Sequence, residues 1–154
     1  MAKLLKLPNA QWPISAVFAF NFDDTMVNIN GDEFALGAED ADLTTFDIFT
    51  PPPGAVVKGG RVIVVTAFNS TANTLDLGDA TDPNRYTETG ALNLQDPDLP
   101  KTGVDLLGDG YVYDGQEAVR ATILNTVTAA TAGKAIIIVD MVVPGRANEN
   151  LKTT

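Results

Sequence analysis

Short runs of alternating apolar and polar residues, dense turn punctuation and no sustained helical repeat predict an all-β fold. Asp makes up fifteen of the twenty acidic residues, with 13 Gly and 9 Pro, a composition suited to many turns. Eight or nine short strands on a 154-residue chain must stack as two sheets to cover both apolar faces. The predicted architecture is therefore a single-domain antiparallel β-sandwich, jelly-roll-like, with an extended N-terminal arm. The expected boundaries are an arm at 1–13, a sandwich at 14–146 and a polar C-terminal tail at 147–154.

The arm carries Leu4, Leu5, Leu7 and Trp12 without clean periodicity, and Pro8 and Pro13 keep it extended. Residues 15–22 read as the first strand, with Phe18, Phe20 and Phe22 opposite Val17 and Ala19. Runs 25–29 and 32–36 flank Asn30-Gly31, a signal for a hairpin with a type I′ turn, because both central residues need positive φ. An acidic loop at 37–42 precedes an alternating run at 43–49, which Pro51-Pro52-Pro53-Gly54 stops. Residues 60–68 form a strong β-branched strand, 69–73 a turn and 74–77 a short strand. Residues 78–86 read as a structured loop or a single helical turn and 87–110 as irregular, with Asp96-Pro97 and Leu99-Pro100 inside. Strands at 111–113, 117–124 and 135–143 close the chain, and Pro144-Gly145 ends the last.

Ten basic against twenty acidic side chains give a net charge of −10, and the sequence pI is near 4.2. That field repels phosphate backbones and anionic lipid, so neither nucleic acid nor membrane is expected as a partner. The chain has no Cys and no His, which removes thiolate and imidazole nucleophiles, disulfides and the commonest transition-metal ligands. Lys3 and Lys6 are followed by too broken an apolar stretch for a targeting signal, so the chain is expected to be soluble and made in a cytoplasm.

Asp76, Asp79 and Asp82 suggest a calcium loop, but the EF-hand spacing with a terminal Glu is missing. The simpler reading is a turn lock in which Asp79 or Asp82 caps the turn and pairs with Arg85, with Tyr86 packed beneath. Asp105, Asp109 and Asp114 alternate with Gly108, Gly110 and Gly115, as tight turns require without any ion. Glu33, Glu39 and Glu117 are the carboxylates available to a glycosidase pair, with few aromatics to line a sugar cleft. No metal, no cofactor and no catalytic residue is therefore expected.

Two blocks carry a resemblance. One is Gly59-Gly60-Arg61-Val62-Ile63-Val64-Val65-Thr66-Ala67-Phe68-Asn69-Ser70 running into Thr74-Leu75-Asp76-Leu77-Gly78-Asp79-Ala80-Thr81-Asp82-Pro83-Asn84-Arg85-Tyr86. The other joins Gly110-Tyr111-Val112-Tyr113 to Ala132-Gly133-Lys134-Ala135-Ile136-Ile137-Ile138-Val139 and Gly145-Arg146-Ala147-Asn148-Glu149. Over residues 59–149 the sequence resembles the small all-β decoration, or cement, proteins of tailed-bacteriophage heads. The resemblance implies a jelly-roll-like sandwich on the outer surface of the capsid, often a homotrimer, with the major capsid protein and itself as partners. It implies no enzymatic residues.

Three functions from different classes are open at this point. The leading one is a passive fastener of capsomers, with Leu4, Leu5, Leu7 and Trp12 as a capsid or oligomer interface. The second is a carbohydrate-binding β-sandwich serving host-surface adhesion on the virion, which needs two or more exposed aromatics in one patch. The third is a glycosidase, which needs two facing acids roughly 5–10 Å apart.

Overall fold

The computed structural model describes residues 13–87, 92–95, 104–108, 110–126 and 128–143. Among the described residues ten strands follow one another: β1 (Ile14–Asn21), β2 (Thr25–Val27), β3 (Glu33–Ala35), β4 (Asp40–Phe49), β5 (Val56–Thr66), β6 (Ala72–Gly78), β7 (Leu92–Asn93), β8 (Val104–Leu106), β9 (Val119–Thr126) and β10 (Lys134–Val142). Two four-stranded antiparallel sheets, in the orders β1-β10-β5-β8 and β4-β9-β6-β7, face each other, and β2-β3 forms a separate hairpin. With the hairpin set aside, the eight remaining strands cross from one sheet to the other at every step except β6 to β7, which are neighbours in one sheet, as in a jelly roll. The all-β sandwich is therefore the fold. Residues 1–12, and with them Leu4, Leu5, Leu7 and Trp12, lie outside the described residues, as does the tail at 147–154.

Period-two burial builds the core. Phe18 and Phe20 on β1, Val62 and Val64 on β5, and Ala135, Ile137, Val139 and Met141 on β10 point inward from one sheet. Phe46, Leu75, Leu77, Val119, Ala121 and Ile123 answer them from the other. Strand β5 is longer than the sequence suggests because it continues back through Gly59 and Gly60 to Val56. Gly60 has φ +149°, and a Cβ there would lie 2.0 Å from the Ile138 carbonyl oxygen, so only glycine lets β5 stay paired with β10 at this close approach. Two register shifts against β10 skip Lys58 and Val65, and Val65 is left exposed.

Several expected elements move. The acidic loop ends earlier, because β4 begins at Asp40 beside Asn125 and takes in a register shift before Thr44. The hairpin forms, but not through a two-residue type I′ turn. Its ladder stops at Val27↔Glu33, the Gly31 N–H donates to the Asn28 carbonyl at 3.0 Å, and Asn28 Oδ1 accepts from the N–H groups of Asn30 and Asp32 at 2.9 Å each. The Asn28 side chain thus organises a longer loop in which Gly31 takes φ +92°. The stretch expected to be irregular holds β7 and β8, two short edge strands. Residues 111–113, expected as a strand, form only an isolated bridge, Val56↔Val112. Gly110 at φ +82° and Gly115 at φ +89° bend the chain on either side of it. Strand β9 starts later, at Val119, and runs on to Thr126.

Asn125 is kept in β9 by a polar cluster that the sequence conceals. Its Nδ2 donates to the Ala38 carbonyl at 2.8 Å, its Oδ1 accepts from Asn73 Nδ2 at 2.8 Å, and the Ser70 hydroxyl donates to Asn73 Oδ1. Ser70, Asn73 and Asn125 are all buried, and these bonds replace the water they lose.

Candidate functional site

Residues 78–87 leave β6 and fold back on the sandwich, with the Tyr86 N–H donating to the Leu77 carbonyl at 2.9 Å. Gly78 starts this loop because a Cβ there would sit 2.0 Å from the Asp82 carbonyl oxygen. Asp79 is buried, and its Oδ1 accepts from the Thr81 N–H at 2.9 Å, the Thr81 hydroxyl at 2.7 Å and the Asp82 N–H at 2.9 Å. Arg85 Nε donates to Asp79 Oδ2, and Arg85 Nη2 donates to Thr81 Oγ1 at 3.0 Å. Of the two aspartates the sequence leaves open, the ion pair goes to Asp79. Asp82 takes part through its backbone, its carbonyl accepting from Asp79 and Arg85 at 3.0 and 3.3 Å.

Burial alone would push the Asp79 carboxyl up, but Arg85, Thr81 and the backbone N–H groups of Asp82 and Thr81 together hold it below the usual carboxylate range. The guanidinium also lies over the Tyr111 ring, with Cζ 4.1 Å from its centroid. The Tyr111 hydroxyl donates to Glu117 Oε2 at 2.5 Å, and this bond first, then burial, raises its pKa. Beneath, the Tyr86 and Tyr113 hydroxyls meet at 2.6 Å in the core. Burial, reinforced by Tyr86, pushes the Tyr113 phenol far up, so it stays neutral. The Tyr111 stack has little signature in the sequence. Its one signal is the Tyr-Val-Tyr alternation, which places Tyr111 and Tyr113 on the same side.

The other acids are dispersed. Asp76 accepts from the Thr87 hydroxyl at 3.1 Å, Asp105 pairs with Arg61 at 2.9 Å, and Asp114 Oδ1 accepts from the Gln116 N–H at 2.8 Å; Asp109 lies outside the described residues. Among the described residues no three metal-ligating side chains converge. Glu39 precedes β4 at its Asp40↔Asn125 end, whereas Glu117 precedes β9 at its Phe49↔Val119 end. A ladder of that length, at roughly 3.3 Å per residue, holds them some ~25 Å apart, well beyond the reach of a glycosidase pair. Glu33 sits on the hairpin, opposite Val27.

The described exposed large apolar side chains, Ile14, Val17, Val27, Ile29, Val65, Leu107 and Val112, are all aliphatic, so none of these seven presents an aromatic face to a sugar ring. Val17 and Val65 belong to the outward face of the β1-β10-β5 sheet, where Ile63, Ile136 and Ile138 are half-buried. Beside it, between β1 and the hairpin, a cleft of about 250 Å³ is lined by Phe18, Ala19, Phe20, Asp24, Thr25, Met26 and Leu36.

No protein-family model and no curated protein matches this chain. Its fold is similar to that of a chain in the solved cyanophage Pam1 capsid asymmetric unit, at 20% sequence identity and a TM-score of 0.57, over 93% of this chain and 94% of that chain.

Proposed function

We propose that this chain is a structural component of a bacteriophage head: a decoration, or cement, protein that binds the outer surface of the capsid and stabilises contacts between capsomers. The observation that carries the reading is the end-to-end correspondence of its jelly roll with a chain of a phage capsid structure, 93% of one chain against 94% of the other. The sequence blocks over residues 59–149 point the same way.

The mechanism is mass action. A subunit that binds only the assembled shell stabilises it, and one that touches several capsomers gains further because each added contact forms at high effective concentration. A cyclic homotrimer multiplies those contacts. Apolar burial at roughly 25 cal/mol per Å² supplies the affinity, since a chain of net charge −10 finds Coulomb attraction only where its partner is basic. Leu4, Leu5, Leu7 and Trp12 provide an apolar contact segment, while Asp79, Asp82, Arg85 and Tyr86 serve the fold. The test is thermal rupture of particles with and without this protein at saturating occupancy. The expected result is a higher rupture temperature with the protein bound. Equal temperatures overturn the reading and favour the sugar-binding alternative.

A further inference from the structure

Strand β1 has an open edge: among the described residues β10 is its only strand partner. Long edge strands are usually guarded by charge, proline or a bulge. The eight residues of β1, ISAVFAFN, contain no charge and no proline, and their register with β10 is unbroken. The 250 Å³ cleft opens beside this edge, with Phe18, Phe20, Met26 and Leu36 as its apolar walls. That volume is below the roughly 300–1,000 Å³ of ordinary small-molecule pockets and suits one or two apolar side chains.

We propose that this cleft and the β1 edge receive residues 1–12 of a second copy of the chain. The inference rests on the self-association in the proposed function, not on the shell. The segment has the matching chemistry, with Leu4, Leu5, Leu7 and Trp12 for the apolar walls. Its charge is also complementary. Lys3 and Lys6 are the only charged side chains before Asp23, so all twenty acids, against eight basic residues, belong to the rest of the chain. Asp23 is exposed at the end of β1, and Asp24 lines the cleft.

The geometry at Pro13 favours a second copy over the same one. The segment's own cleft lies forward along β1, at Phe18 and Phe20, so the arm would have to reverse to reach it. A turn at Pro13 would use Ile14 as its next central residue, but Ile14 is already in the ladder opposite Met141. Residues before a proline disfavour the α region that turns use, and the first glycine in the chain is Gly31. A reversal further upstream shortens the reach by twice the distance to the turn. Extended, twelve residues span at most about 40 Å, enough to cross to a neighbour.

The chain contains no cysteine and a single tryptophan, so two measurements on the isolated full-length protein test the proposal. First, Gln11→Cys and Thr25→Cys are made as separate, differently tagged variants and mixed under oxidising conditions. A cross-linked heterodimer is expected. No heterodimer in the mixture, with cross-linking only inside the chain of the double variant, overturns the proposal. Second, sedimentation and Trp12 emission are followed over concentration. Emission shifted to the blue at high concentration and returning on dilution is expected, and deletion of residues 1–12 should weaken self-association by at least ~100-fold, the equivalent of one large apolar side chain. Unchanged association of the deleted chain, or emission independent of concentration, overturns it. No capsid enters either measurement, so failure of the cement reading shows separately, in the rupture experiment.

Discussion

Replacing Arg85 with alanine removes the cation that pairs with the buried Asp79 carboxylate in the 78–87 loop, and the cost follows from what remains. Breaking a buried ion pair from one side costs about 3–5 kcal/mol. The lower end applies, because the Arg85 side chain keeps 15% of its exposure and Asp79 retains the Thr81 and Asp82 donors. Loss of the guanidinium stack on Tyr111 adds about 0.5–1 kcal/mol. The sum, about 3–4 kcal/mol, corresponds to a Tm roughly 10 °C lower for a chain of this size. Acid should narrow the gap. In the native protein the Asp79 carboxyl is held below its unfolded value, so its contribution is full above about pH 4 and is lost as pH falls through the folded pKa. Without Arg85 burial dominates, the carboxyl moves up, and protonation relieves the variant. Thermal denaturation followed by circular dichroism should therefore show a difference that is largest at pH 7 and shrinks toward pH 4 and below. Arg85→Lys, which keeps the charge but loses the planar fork, should fall between the two. Equal melting temperatures at pH 7 would refute the lock. If that variant also lost its partner, Arg85 would be a binding residue.

Tyr86→Phe should cost about 1–3 kcal/mol by leaving the Tyr113 hydroxyl buried without its partner, whereas the double change Tyr86→Phe with Tyr113→Phe should cost clearly less than the two singles combined. Strict additivity in a denaturant-unfolding cycle would remove the pair from the core's account. On alkaline titration, the Tyr113 phenol should ionise only as the fold opens, so its absorbance change should coincide with loss of the β-sheet signal. Gly60→Ala should lower stability by about 2 kcal/mol or more, since the added Cβ meets the Ile138 carbonyl and the backbone sits at φ +149°. A Tm within about 1 °C of the parent would show that β5 and β10 can part there at no cost.

The all-β class, the strongest strands and the Asp–Arg turn residues are legible in the sequence because each depends on neighbours only a few positions away. Alternation at Phe18 and Phe20, or along the β-branched run of β5, is a local pattern with a single reading. What tertiary structure decided lies where the partner is remote. Strands β7 and β8 have two and three residues, too few for any periodicity, and exist because β6 and β5 offer them an edge. Residues 111–113 alternate as a strand does, yet bends at Gly110 and Gly115 leave them a single bridge. Asn73 and Asn125 read as strand breakers until each becomes the other's hydrogen-bond partner across 52 positions. The choice of Asp79 over Asp82 is of the same kind. Both carboxylates are within sequence reach of Arg85, but only Asp79 is buried, where leaving a charge unpaired is expensive, while Asp82 remains partly open to water, which solvates it without Arg85.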